Sequence, residues 1–451
     1  MREPSRAVDE SDTLQVFIKK PTNTHNIQVW LLSFWLCRSN HVDKEKRPPN
    51  LPEGSRMRIM HVMAWYIPGM GYQENFLPIE QAKLGHQVEI ITSDRLPAFK
   101  GYRSHIGKLM GGRYVGSGEF RDSELVIHRL DTILEIENGG WLLMSGVKSQ
   151  LRDSRPDVVH LHGAFASYTL EAVLFSEKLQ YKSFVDDHSH SNNFCPDTLA
   201  KKGYVKMASA FYRIYGNRVR CWMPVTYASK AILESLLPIS EDRIELLHLG
   251  ADARRFRKSY ELRRRGRSRL GISGDEFLVM TSGKFDSSKD ISILLAALGG
   301  LMHEDPNLRL AMVGDGPDHY ITHLKDLAKA LGIAKRITFV GFVPNTELPE
   351  LYNAADLGVW PGDHSITVVE AVGTGLPVIV PRGDLGYKVL FDANAAVGFT
   401  RGNVDALRIA IKSVIFNQRL RTDMSSRAEG LIKDELSWER IAHRSIDIYS
   451  R

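Results

Sequence analysis

The chain has 451 residues, enough for two or three domains of roughly 150 residues each. Hydrophobic residues make up 43% and charged residues 25%, which excludes a disordered tail or a collagen-like chain. A formal net charge of +6 is too small at this length to imply polyanion binding unless it is clustered.

Residues 1–56 show no sustained period of 2 or 3.6 and close on Lys44-Glu45-Lys46-Arg47-Pro48-Pro49, so they read as a disordered leader or a misassigned start. The apolar run from Trp30 to Cys37 is far shorter than the roughly 20 residues a bilayer span needs, and no small-residue cleavage site follows it. Cys37, Cys195 and Cys221 are odd in number and lack CxxC spacing, which argues against a disulfide framework or structural zinc and fits a cytoplasmic location.

From Met57 the chain alternates short β-rich runs with amphipathic segments of helical length, the signature of parallel sheets with crossover helices. Strands are expected at 58–64, 87–92, 125–130, 157–162, 183–187, 223–226 and 244–249, then at 277–282, 309–313, 337–340, 357–360 and 377–380. This is an α/β chain of two Rossmann-like, doubly wound domains, residues 57–255 and 256–432, with a helix over 433–451 packing back on the first. The stretch from Arg254 to Arg269 carries nine basic residues around one acid, Glu261, and reads as a solvated linker rather than a nucleic-acid patch, because stacking aromatics are sparse. Lys201 to Trp222 mixes six basic residues with five aromatics and no acid. It reads as an amphipathic helix that either packs inward or lies on an anionic membrane surface.

Four places carry chemistry. The first strand runs into Gly69-Met70-Gly71, ahead of a helix over 73–84, where glycines let the backbone approach a ligand. Glu74 stands where a dinucleotide fingerprint wants its third glycine, which disfavours a nicotinamide enzyme. Gly283-Lys284 and Lys289 follow a strand and precede a helix, so the two lysines can neutralise a diphosphate at the strand's carboxyl end. Ser365 is an expected N-cap that leaves the amides of Ile366 and Thr367 open to an anion, and Glu370 one turn later can accept bonds from ribose hydroxyls. Finally, His160 and His162 alternate on one strand near Asp186-Asp187-His188-Ser189-His190. With Asp187 and His188 they could hold a catalytic metal, making a hydrolase the rival enzyme, and a noncatalytic sugar-nucleotide binding protein is the third class.

Taken in order, these motifs resemble the GT-B glycosyltransferases of the large retaining family four, or group one. The resemblance runs through Gly85-His86-Gln87-Val88, Asp157-Val158-Val159-His160-Leu161-His162, Asp187-His188, Leu249-Gly250-Ala251-Asp252, Gly283-Lys284 with Lys289, Gly314-Asp315-Gly316-Pro317, Ala354-Ala355-Asp356, and Glu370-Ala371 with Gly375-Leu376-Pro377-Val378. It implies two domains facing across a cleft and transfer of a sugar from a nucleoside diphosphate sugar to a glycan or lipid-linked acceptor, as in polysaccharide biosynthesis. Neither metal nor cofactor is implied. Lys284 and Lys289 match the diphosphate-binding positions, Glu370 the ribose-binding acid, and His188 the active-site histidine. The family's first acid is matched by Gly362, so the neighbouring Asp363 is expected to contact the donor sugar. Cytoplasmic location, with peripheral contact at the inner membrane face through 201–222, completes the expectation.

Overall fold

The computed structural model describes residues 16–18, 56–69, 72–97, 112–136, 141–189 and 196–451. In the first half, strands β2 (Arg58–Val62), β3 (Gln87–Ser93), β4 (Gly118–Asp122), β5 (Leu125–Leu130), β8 (Val158–His162), β9 (Lys182–Asp187) and β10 (Val219–Pro224) form a seven-stranded sheet. Its order is β10-β9-β8-β2-β3-β5-β4, parallel except for β4 at the edge. The second half holds an all-parallel six-stranded sheet of β11 (Phe277–Ser282), β12 (Leu308–Val313), β13 (Ile337–Gly341), β14 (Leu357–Val359), β15 (Val378–Pro381) and β16 (Ala396–Phe399), in the order β13-β12-β11-β14-β15-β16. Every residue of β8 and β14 is buried, as strands covered by helices on both faces require.

Strand order reverses between β2 and β8 in the first sheet and between β11 and β14 in the second. Ligands of such sheets sit outside the carboxyl ends at these switch points. The loops that follow β2, β8, β11 and β14 contain Gly69, Gly163, Gly283 and Gly362, so the chemistry-bearing segments gather there.

The chain crosses between the sheets twice, and the crossings are bonded to each other: Ala251 N–H donates to Leu436 O at 2.8 Å and Trp438 N–H to Ala251 O at 3.1 Å. A Cβ on Gly250 would lie 2.7 Å from Ile441, so this seam closes only around a glycine. Beyond it the terminal helix Trp438–Ser450 lies on the helix Gln73–Lys83, with Trp438 stacked on Phe76 at 5.7 Å.

Several elements differ from the sequence expectation. Residues 244–249 form no strand: they run beside β10 with an isolated bridge from Ile244 to Trp222, and Glu245 N–H and Leu247 N–H donate to Trp222 O and Pro224 O at 2.9 and 3.2 Å; β10 itself starts earlier than expected. Within the leader, Val16–Ile18 is a strand (β1) that pairs antiparallel with β6 (Thr132–Ile136), itself paired with β7 (Trp141–Met144); the rest of 1–55 lies outside the described residues. The basic stretch is no solvated linker. Tyr260–Leu270 is a helix whose Arg263 and Arg267 turn inward onto Asp356, at 2.6 and 3.2 Å. The pairing leaves those charges compensated rather than presented as a patch.

Candidate functional site

The second sheet builds one wall of the site from β11, β14 and the helix Ile366–Gly373. Gly283, at the end of β11, has φ +124°, and a Cβ on Gly314 would come 1.8 Å from the Gly283 carbonyl. Two glycines are therefore needed for the β11 and β12 turns to touch. Trp360 Nε1 and Thr367 Oγ1 both donate to Ser282 O, at 2.8 and 3.3 Å, tying the helix entrance to β11. Ser365 occupies the N-cap position with extended backbone, but its side chain caps no amide; its hydroxyl pairs with Thr367 Oγ1 at 2.9 Å. That corrects the expected cap. It still leaves the first-turn amides of Ile366 and Thr367 without a bond from the Ser365 hydroxyl, so the positive helix end keeps its anion-binding character.

Lys284, Lys289, Gly362 and Asp363 line one cavity, together with Thr281 and Ser282. Lys289 is turned inward, donating to the carbonyls of Asp363 and His364 at 3.1 Å each, and burial lowers its pKa. Lys284 is more exposed and pairs with Asp286 at 3.3 Å. A Cβ on Gly362 would lie 2.4 Å from the Lys289 backbone, so the acid of the resembling family has no room at this position. Asp363 does not take its place as expected: its carboxylate is buried and held by Arg401 at 2.6 Å, and Arg401 also binds Asp290 at 2.8 Å and Ser288 O at 3.0 Å. Asp363 is a brace between two loops. Asp363→Asn should lower stability by about 1 kcal/mol, since Arg401 is partly hydrated, and leave turnover within about twofold. Thermal melts and steady-state kinetics on one preparation check this.

Glu370 is buried and accepts from Asn345 Nδ2 at 2.6 Å, while Arg255 donates to Asn345 Oδ1 at 3.0 Å. Burial lifts its carboxyl to about 7, against the Asn345 bond and the Arg255 charge, which lower it. The folded state thus holds this proton more tightly than the unfolded chain. The ionised carboxyl costs stability above pH 7, a cost relieved as pH falls from 7 towards 4.5. Neither Asn345 nor Arg255 was legible beforehand, because neither belongs to a motif and both reach Glu370 from distant segments.

The first sheet supplies the facing wall. Gly69 has φ +70°, as a tight turn requires; Met70 and Gly71 lie outside the described residues. The helix that follows presents Tyr72 towards the charge of Glu370, Gln73 to Asp186 at 3.2 Å, and Glu74 towards His188. His188 Nε2 lies 3.6 Å from Asp186 Oδ2. Burial opposes its charge, but Asp186, Glu74 and Asp187 outweigh burial and raise it to about 9, so it is an imidazolium near neutral pH. Behind it sit His61, His160 and His162, which offer nitrogens close enough to share an ion. Hydrogen bonds already account for them: His61 meets Gln81 at 2.8 Å and His162 at 2.9 Å, and His160 meets Tyr449 at 2.5 Å and Asp186 at 3.0 Å. Asp187, expected among the ligands, instead accepts the backbone amides of Ala164 and Ser189 at 3.0 and 2.8 Å.

Two family models match the chain, Glycosyltransferase Family 4 over residues 79–255 and Glycosyl transferases group 1 over residues 263–430. The chain belongs to the group 1 glycosyltransferases. Among curated relatives, an uncharacterized glycosyltransferase of Methanocaldococcus jannaschii is 26% identical over 234 residues, 50% of this chain and 59% of the relative. A GDP-mannose-dependent alpha-(1-6)-phosphatidylinositol monomannoside mannosyltransferase of Mycolicibacterium smegmatis is 27% identical over 217 residues, 46% of this chain and 56% of that protein. The matches thus span somewhat over half of these relatives. In fold, the chain is similar to Anabaena HepE, solved in complex with UDP (TM-score 0.66, 15% identity, 87% of this chain and 100% of that one), and to WaaG, a glycosyltransferase of lipopolysaccharide biosynthesis (TM-score 0.61, 16% identity, 87% and 99%). Both likenesses bear out the two-domain GT-B architecture.

Proposed function

We propose that this protein transfers a hexose from a nucleoside diphosphate sugar to a hydroxyl of a glycan or lipid-linked acceptor. The observation that carries the reading is the convergence, at facing switch points, of an open helix N-terminus flanked by Lys284 and Lys289, a buried ribose-type acid at Glu370, and a cationic histidine at His188. The helix end and the lysines hold the diphosphate, Glu370 accepts from the ribose hydroxyls, and His188 donates across the cleft to the donor sugar or its phosphate. As the glycosidic bond breaks, negative charge grows on the departing diphosphate, where these fixed cations stabilise it. Because they supply that charge themselves, transfer should persist in EDTA. Retention at the anomeric carbon is proposed on the family resemblance, and the product's anomeric configuration by NMR tests it.

The deciding experiment incubates the protein with UDP- and GDP-sugars, with and without candidate acceptors, and follows nucleotide release. Acceptor-dependent release supports transfer. Binding without turnover would favour a sensor, and release abolished by EDTA would favour the hydrolase. Ionised Glu370 further predicts that a UDP-sugar, whose diphosphate has no proton to lose in this range, binds more tightly at pH 8 than at pH 6, and that Glu370→Gln removes this dependence. Calorimetry across that range checks it.

A lipid-linked acceptor is favoured by the helix Leu199–Tyr215. Its Phe211 and Tyr212 pack inward, contrary to a membrane role for them, but Leu199, Met207 and Ile214 are exposed beside Lys201, Lys202, Lys206 and Arg213. Such a stripe suits anionic lipid. Among the described residues no helix is long and apolar enough to cross a membrane, so contact would be peripheral.

A further inference from the structure

The imidazoles behind His188 are more numerous than one active-site histidine needs, and their hydrogen bonds have a direction. The Ser445 hydroxyl donates to Ala442 O at 2.7 Å, so its oxygen accepts from Gln81 Nε2 at 2.8 Å. This fixes the Gln81 amide, whose oxygen then faces His61 Nε2 and requires a proton there. His61 Nδ1 is left to accept from His162 Nε2 at 2.9 Å. The other nitrogen of His162 lies 2.8 Å from Asp186 Oδ2 but is not aligned for a hydrogen bond, so this branch meets Asp186 only by contact. On the parallel branch, Tyr449 Oη accepts from Gln81 at 3.2 Å and donates to His160 Nδ1 at 2.5 Å, leaving His160 Nε2–H to donate to Asp186 Oδ2 at 3.0 Å.

Both branches end on the same carboxylate oxygen, which faces His188. We propose that Tyr449 and Asp186 are positioning residues for His188: the terminal helix, once docked, fixes the tautomer of His160, His160 holds Asp186, and Asp186 holds the His188 imidazolium towards the cleft. Burial works against the Asp186 charge, but His162, His188 and His160 outweigh it and keep the carboxyl well below its ordinary range. His160 itself is driven down to about 4 by burial and by His162, in keeping with a neutral ring. Without the Tyr449 hydroxyl, His160 Nδ1 loses its donor, the alternative Nδ1–H tautomer becomes accessible, and a lone pair then turns towards Asp186. The acids and imidazoles facing His188 are Asp186, Asp187, Glu74, His160 and His162; Tyr449 bonds His160 directly and reaches Asp186 through it.

That His188 acts on the donor rests on the function proposed above; the hydrogen-bond chain does not. The test is side-chain ¹⁵N NMR of the full-length protein, comparing wild type with Tyr449→Phe, Asp186→Asn and, as a packing control in the same helix, Ile448→Val. Wild type should show His160 as the Nε2–H tautomer and His188 titrating well above an ordinary histidine. In Tyr449→Phe, His160 should become a tautomer mixture and the His188 midpoint should fall by about half a unit or more; in Asp186→Asn it should fall further. Ile448→Val should lower the melting temperature without moving either signal. An unchanged His188 midpoint in Tyr449→Phe, or the same drift in Ile448→Val, would overturn the proposal. Nucleotide release from the UDP- and GDP-sugar panel separates the two claims: Tyr449→Phe should lower kcat about tenfold with little change in KM. If His188→Ala leaves release intact while the NMR shifts appear, the chain stands and the role of His188 falls.

Discussion

Alanine in place of His188 is expected to lower kcat/KM by roughly 10²–10³-fold, the usual cost of removing one preorganised donor from a water-poor site. The loss should fall mainly on kcat, because the imidazolium meets charge that develops only as the donor bond breaks. The wild-type rate should also decline as pH rises through about 9, where His188 loses its proton. The stability from this raised pKa follows the same sign: it is full below the ordinary histidine value of about 6.5 and is lost as pH climbs through the folded value. A pH-rate profile whose alkaline limb is unchanged in the alanine variant would show that another group sets it.

The second large effect is expected at Lys289. Lys289→Ala should cost about 2–4 kcal/mol in kcat/KM, because its ammonium sits inside the cavity, close to where the leaving diphosphate gathers charge. Two contributions combine there. The lysine also bonds the carbonyls of Asp363 and His364, so its removal loosens the loop that leads into the helix Ile366–Gly373. Lys284→Ala should cost less, about tenfold, since that side chain is more exposed and already shared with Asp286. Steady-state kinetics of the two single variants and the double variant check the ranking; equal effects would mean that burial does not decide it.

Buried parallel strands announced themselves in the sequence because continuous runs such as Val158-Val159-His160-Leu161-His162 have no other economical fold. β4 was hidden, since Gly118-Glu119-Phe120-Arg121-Asp122 lies at a sheet edge, is mostly exposed and shows no alternation. The basic stretch misled for a related reason: composition reports charge but not its partner, and Asp356 lies some 90 residues away. In the candidate site, motif spacing singled out Lys289 and Glu370, and the structure places each on its own loop or helix turn with its side chain buried or turned inward. The partner of Asp363 was not legible, because its carboxylate is held by Arg401, a residue outside any motif. The branches reaching Asp186 were invisible for the same reason: Gln81, Ser445 and Tyr449 come from two helices separated by more than 360 positions.

The seam at Ala251 and Trp438 bears on how the two halves can move. Two covalent links that lie side by side and are bonded to each other act as a door hinge rather than as two tethers. Such a joint lets one half swing against the other and resists sliding along the cleft. On such a joint the N-terminus of the helix Ile366–Gly373 and the His188 ring would move on arcs about a common axis, so that closing would change the gap between them while preserving their alignment.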